Sequence, residues 1–538
     1  MRCRCHSRAR PSVHPPRWAG CARSHRSGSG RWRHAVTGRG STARGAAPPA
    51  VETVPGVVAG HWVGGAACYP AIPYAHAPVG AMRWVPPRPH GGWTGIGASS
   101  RGAAVPQLPS RLDEVMGPLV AGGFSEDALT LSVWVPPGAP PTGGWPVIVW
   151  HHGGRLIAGA GSAQWFDAAI LARRLDSIVV TVNYRLGALG FLYFPSGVLG
   201  DEQVANLGLR DQGAAWIWVR DNISGFGGDP GNVTAIGQSA GGYSVAALAD
   251  SPVYRHLVHR TVVMSAPMAV LPIDPDEAWA TTRAFMSDAG IERISRDAVE
   301  ALPVKTILAV QAATMKRSAS RVTSAAPIGH VLDGDVITEN SIVAGGPGVA
   351  PPIEMLLGWN TEEARAYWAF DDSFWAMERA AAAQFVESIG GVDLRERFEG
   401  TSLDGRTPAE LAVDLFGRVN VIEPSIQMAQ RRASRHGKTL LYSFAHRSNH
   451  PCGRLGACHT FETPFLFGNF DDWRDAPMMA GSDEATSEAV SRTLQGIVRQ
   501  FIDEPEPTVA GRPWPVVRTG DPETVLEVAT SARLVPVS

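Results

Sequence analysis

Two short runs dense in β-branched residues most constrain this fold: Pro146–His151 (PVIVWH) and Ser177–Asn183 (SIVVTVN). Neither alternates polar with apolar, so each reads as a strand buried on both faces of a sheet. Between them, Gln164–Leu175 reads as a helix. Asn206–Val219 (NLGLRDQGAAWIWV) reads as another, ended near Gly225. Val233–Ile236 is a short strand that runs into a helix over Gly241–Ala249. Thr261–Val263, Ile353–Leu357 and Leu440–Phe444 complete the strand pattern. Strand–helix alternation of this length predicts an α/β fold with a mostly parallel central sheet and helices on both faces. Asp274–Arg321 and Pro408–Arg435 read as helical insertions over the sheet's carboxyl edge, and Asp483–Phe501 as a closing helix. No internal repeat or linker divides residues 51–538, which predicts one large α/β unit.

Composition matters chiefly at the N-terminus. Of 48 Lys and Arg, 11 are Arg within the first fifty residues, which hold no Asp or Glu. The remainder carries 37 basic against 50 acidic residues. An acidic body argues against nucleic-acid binding, which calls for a basic stripe on a folded element. Residues 1–50 are rich in Arg, Gly, Ser and Pro, too poor in apolar surface to offset their ordering entropy, and are expected to be disordered. No apolar stretch follows their positive residues, so they do not read as a secretory signal. A start site placed too far upstream, with Val36 as the true first residue, would also explain them. Cys3, Cys5 and Cys21 lie near His6, His14, His25 and His34, but the spacings match no zinc pattern. No metal or cofactor is expected. Cys68, Cys452 and Cys458 suggest no disulfide framework, and no run of eighteen apolar residues predicts a membrane span. The expected location is the cytoplasm.

The chemistry centres on Gly237-Gln238-Ser239-Ala240-Gly241, a G-x-S-x-G between a strand and a helix. A serine in so tight a turn projects its hydroxyl above the sheet edge, and the small flanking residues leave room for the strain. The N–H of Ala240, at the helix start, points at an anion site. A serine nucleophile also needs a base within hydrogen-bond reach and an acid to orient that base. Downstream of Ser239 stand His256, His259, His330, His436, His446, His450 and His459, and periodicity does not choose among them.

Seven ordered segments narrow that choice: Ile72–Trp84, Ser125–Pro136, Pro146–Gly154, Val179–Leu192, Asn206–Gly242, Leu356–Ala364 and Leu455–Gly468. Together they resemble the type-B carboxylesterases, the para-nitrobenzyl esterase and cholinesterase group of α/β-hydrolases. The resemblance spans nearly the whole chain after the Arg-rich segment. It implies a single α/β-hydrolase domain that cleaves small-molecule carboxylic esters through an acyl-enzyme, with Ser239 as nucleophile, His459 as base and Glu363 as acid. Glu362 is the rival acid, read as a solvated neighbour. Gly153 and Gly154, with Ala240, fall where the family forms its oxyanion hole. Ser265 falls where a serine supports the acid.

Three departures stand out. Arg155 occupies the third position of a loop that is usually glycine there. It is expected to keep its N–H available and to send its side chain to solvent, with binding of an acidic substrate group as the alternative, although positive φ is costly for it. Gln238 replaces the Glu of many relatives, which argues against cationic choline-type substrates. Ala128 stands where secreted relatives carry a disulfide cysteine. Trp359, beside the acid, hints at an apolar gorge. The same resemblance admits a non-catalytic binding protein, or an acyl hydrolase or transacylase acting on lactones or amides.

Overall fold

The computed structural model describes residues 48, 50–93, 95, 101–318, 327–346, 348, 353–520 and 524–537. The expectations for the Arg-rich segment, including its Cys/His cluster and the start at Val36, fall outside the described residues.

Among the described residues the central sheet has eleven strands. In chain order they are β1 (His61–Val63), β2 (Ala66–Pro73), β3 (Thr130–Val135), β4 (Trp145–His151), β5 (Ile178–Val182), β6 (Gly228–Gln238), β7 (Arg260–Met264), β8 (Glu354–Asn360), β9 (Thr439–Phe444), β10 (Thr524–Val528) and β11 (Ala532–Pro536). Their spatial order is β11-β10-β9-β8-β7-β6-β4-β5-β3-β2-β1. From β5 through β4 and on to β10 every neighbouring pair is parallel. The pairings of β1 to β2, β2 to β3, β3 to β5 and β10 to β11 are antiparallel. The parallel centre matches the sequence expectation. The antiparallel strands at both edges were not foreseen.

The centre is buried on both faces because successive side chains point opposite ways. Val147 and Val149 of β4 enter one core, while Ile148 and Trp150 enter the other. Likewise Leu357 and Leu441 face the first core, and Leu356 and Leu440 the second. Helices Leu207–Asn222 and Ala240–Ala249 cover the first face; Ala169–Leu175 and Glu484–Asp503 cover the second. Trp359 is buried in the first core rather than lining an open gorge.

Several boundaries differ from expectation for local reasons. The first predicted helix is split into a 3-10 turn, Gln164–Phe166, and the helix Ala169–Leu175. Between them Asp167 accepts a hydrogen bond from the Ala169 N–H at 3.1 Å, so its side chain competes with a continuous helix. The helix Arg379–Gly400 was not anticipated; a kink at Gly390 and Gly391 interrupts its period. Among the described residues no helix is long and apolar enough to cross a membrane.

Candidate active site

Ser239 sits at the end of β6, where the chain turns into the helix Ala240–Ala249. Its φ of 56° and ψ of −126° lie outside the regions most residues favour, a strain of about 1–3 kcal/mol that the surrounding structure must hold. The Ser239 N–H donates to the Met264 carbonyl at 2.8 Å, fixing the turn to β7. Gly237 and Gly241 face each other so closely that a Cβ on Gly237 would collide with the Gly241 carbonyl. The tight turn therefore requires the glycine pattern read from the sequence.

His459 and Glu363 come to the same place from other elements. Glu363 opens a short 3-10 helix, Glu363–Tyr367, just after β8. His459 lies on the chain beyond β9. His459 Nε2 is 2.8 Å from Ser239 Oγ, and Nδ1 is 2.6 Å from Glu363 Oε2. All three residues are buried. Glu363 Oε1 accepts the Asn360 N–H at 2.8 Å, and the His459 N–H donates to the Glu363 carbonyl at 2.9 Å. An ionised Glu363 requires the proton on Nδ1, which leaves the Nε2 lone pair facing the serine hydroxyl.

Burial lowers the His459 pKa, but the Glu363 charge and hydrogen bond, aided by Glu462, outweigh it and hold the group above its usual 6.5. Only neutral imidazole can take the serine proton, so activity is lost as pH falls through that raised value. The expected kcat/KM profile has an acid limb whose midpoint lies above pH 6.5. A profile measured between pH 5 and 9 with its midpoint clearly below 6.5 would contradict this electrostatic balance.

The proposed oxyanion loop follows β4. Gly154, Arg155 and Leu156 all take positive φ, at 114°, 57° and 62°. Arg155 thus adopts the conformation that costs a side-chain-bearing residue about 1–2 kcal/mol. Its side chain is exposed. Gly153 packs against the elbow: a Cβ there would lie 2.9 Å from the Ser239 Cβ and 2.6 Å from Gln238 Oε1. Ala240 is buried at the start of its helix, where the first N–H groups lack helical partners.

Two assignments need correction. The Ser265 hydroxyl hydrogen-bonds not to Glu363 but to Glu462, donating to Oε1 at 2.9 Å. Glu462 is fully enclosed and also accepts from Asn360 Nδ2. Burial, then the nearby Glu363 charge, push its carboxyl well above the usual range. Glu462 was not among the expected site residues, although a carboxylate three residues after His459, within HTFE, was the available signal. Nor is Glu362 solvated: it is buried and paired with Arg365 and Arg447.

A cavity of about 540 Å³ adjoins the site, with Gln238, Gly153, Gly154 and Thr460 in its wall. Trp150, Trp165, Phe166, Leu112 and Met116 make it largely apolar, and Asp113 and Glu114 add carboxylates. Gln238 is buried, and its Nε2 has no hydrogen-bond partner among the described residues.

A serine on a strand-to-helix elbow, beside a mixed sheet covered on both faces, defines an α/β-hydrolase. The sequence model of the Carboxylesterase family matches residues 47–536, and the chain belongs to that family of carboxylic ester hydrolases. Phenmedipham hydrolase of Pseudarthrobacter oxydans is 32% identical across 89% of this chain and 94% of its own. Para-nitrobenzyl esterase of Bacillus subtilis is also 32% identical, across 88% of this chain and 94% of its own. A solved structure of a thermophilic PNB esterase matches with a TM-score of 0.76 at 28% identity, covering 90% of this chain and 97% of that one.

Proposed function

We propose that the protein hydrolyses neutral esters carrying a bulky apolar group, through an acyl-enzyme on Ser239. The observation that carries this is the unbroken hydrogen-bonded line from Glu363 to His459 to Ser239, bordering an apolar cavity. As Ser239 Oγ forms its bond to the ester carbonyl carbon, its proton passes to His459 Nε2. Glu363 holds the imidazole orientation and stabilises the imidazolium. The carbonyl π electrons move onto oxygen, and the N–H groups of Gly154, Ala240 and Arg155 receive that charge. Collapse breaks the bond to the alkoxy oxygen, which leaves as alcohol with the proton from His459. Water then attacks the acyl carbon with His459 again as base. The acid is released and the serine regains its proton.

The cavity supports the substrate class. Its size falls within the range that encloses a drug-sized group, and aromatic walls favour an apolar one. Asp113 and Glu114 disfavour a substrate bearing its own carboxylate. The test is a panel of esters matched in leaving-group pKa. An uncharged aryl or long-alkyl ester is expected to exceed a methyl-sized one in kcat/KM by tenfold or more, at about 1.4 kcal/mol per factor of ten. A carboxylated analogue should fall below both. No hydrolysis of any member would sink the reading, and a flat response to size would sink the substrate class.

A further inference from the structure

Glu362 is an unusual neighbour for a reactive pair. It is buried, yet its carboxylate serves three partners, two from one chain excursion and one from its own turn. Oε2 accepts the Ala457 N–H at 2.8 Å. Oε1 lies 3.0 Å from Arg447 Nη1 and 3.1 Å from Arg365 Nη2. Arg447 stands where the chain leaves β9, and Ala457 stands two residues before His459. One carboxylate therefore ties together both ends of the loop that delivers the base.

The backbone repeats the connection. The Glu362 N–H donates to the Ala457 carbonyl at 3.0 Å, and the Ser448 N–H donates to the Gly456 carbonyl at 3.0 Å. Gly456 takes φ 59°, and a Cβ there would collide with Glu362 Oε2. The loop can approach this close only because residue 456 has no side chain. On the other side Arg365 also pairs with Asp414 at 3.2 Å, anchoring the carboxylate to the helix Pro408–Gly417.

We propose that Glu362 is a positioning residue, clamping the His459 loop to the turn that carries Glu363 and so setting the reach between imidazole and acid. The inference rests on the Ser239–His459–Glu363 reading. Consecutive carboxylates divide the work: Glu363 touches the imidazole, and Glu362 holds the frame in which that contact is 2.6 Å long. Displacements of about 1 Å in such a frame cost as much as 10²-fold in rate.

The test compares wild type with Glu362→Ala and Glu362→Gln, using one neutral ester, full pH profiles and thermal unfolding. Glu362→Ala removes every clamp contact of the side chain. It is expected to lower kcat by tenfold or more with KM within about twofold. Glu362→Gln keeps one oxygen for the Ala457 N–H and loses the charge toward the arginines, so it should recover part of that loss. The discriminating readout is the acid limb of kcat/KM. The groups acting on His459 are Glu363 and Glu462, with the Tyr367 ring packed beside it; Glu362 is not among those charges. A loosened His459–Glu363 contact removes what raises the imidazole pKa, so the limb should move to lower pH in Glu362→Ala. A limb that stays in place overturns the proposal, whether kcat is unchanged or falls along with the unfolding temperature. If Glu362→Ala does not fold, the same limb in Glu362→Gln decides. Ser239→Ala separates the two claims: if it keeps its activity, the underlying triad reading fails, whatever Glu362 does.

Discussion

Replacing Ser239 with alanine is expected to lower kcat on a neutral ester by about 10⁶-fold while leaving the fold intact. The size follows from the loss of the covalent step. Without Oγ no acyl-enzyme forms, and His459 can act only on bound water. The oxyanion donors would persist and retain a residual 10³–10⁴-fold over water. Nor can the thiol beside His459 stand in for the hydroxyl. The adjacent Cys458 is completely buried, and burial pushes its thiol well above the usual range, so it holds no thiolate at neutral pH. Alanine fits the same strained elbow, because Cβ is already present. The measurement is steady-state hydrolysis by both proteins, with circular dichroism confirming equal folding. A rate within tenfold of wild type would remove Ser239 from the chemistry.

The elbow was legible in the sequence because its determinants are local. A sharp turn between a β-branched run and a helix needs small residues two positions either side of the serine, and GQSAG supplies them within five residues. The parallel centre was legible for a similar reason: a strand that meets both cores must be apolar on both faces, as β4 and β5 are. The antiparallel edge strands left no such trace. β1 has three residues, and β2 (AACYPAIP) contains Pro70 and Pro73, which speak against a strand until its partners are known.

The base and acid were least legible, because tertiary packing selects them. His459 lies 220 residues from Ser239, and six other downstream histidines share its chemistry. Only a resemblance could choose. The same limit produced the error at Glu362. Two consecutive carboxylates look alike in sequence. Which one faces an imidazole and which meets arginines depends on Arg447, which comes from a distant loop and leaves no local trace, and on Arg365, whose i,i+3 spacing from Glu362 was the one local signal. Ser265 was misread for a related reason: its partner Glu462 comes from the loop of the base rather than from the loop of the acid.

The division between the two carboxylates sets up the second large effect. Glu363→Gln is expected to lower kcat by about 10⁴-fold. Both Glu363 oxygens accept: Oε1 from the Asn360 N–H at 2.8 Å and Oε2 from His459 Nδ1 at 2.6 Å. Glutamine offers one accepting oxygen to these two donors. Turning its NH₂ toward Asn360 would orphan a buried backbone N–H, at about 1–3 kcal/mol. Neutral imidazole instead escapes by moving its proton to Nε2, so the amide oxygen should stay with Asn360 and the NH₂ should face an unprotonated Nδ1. In that tautomer Nε2 presents a hydrogen to Ser239 Oγ and cannot accept its proton. The structure would barely change while the base would be lost, so the defect should fall on kcat with little change in KM or unfolding temperature. Glu362→Gln is the internal comparison, because it removes a charge one residue away, loosening the frame around the Nδ1 contact without replacing the carboxylate that makes it. If Glu363→Gln stayed within tenfold of wild type while Glu362→Gln fell by about 10⁴-fold, the acid role would pass to Glu362, and the hydrogen-bonded line to Ser239 would not be the one that catalyses.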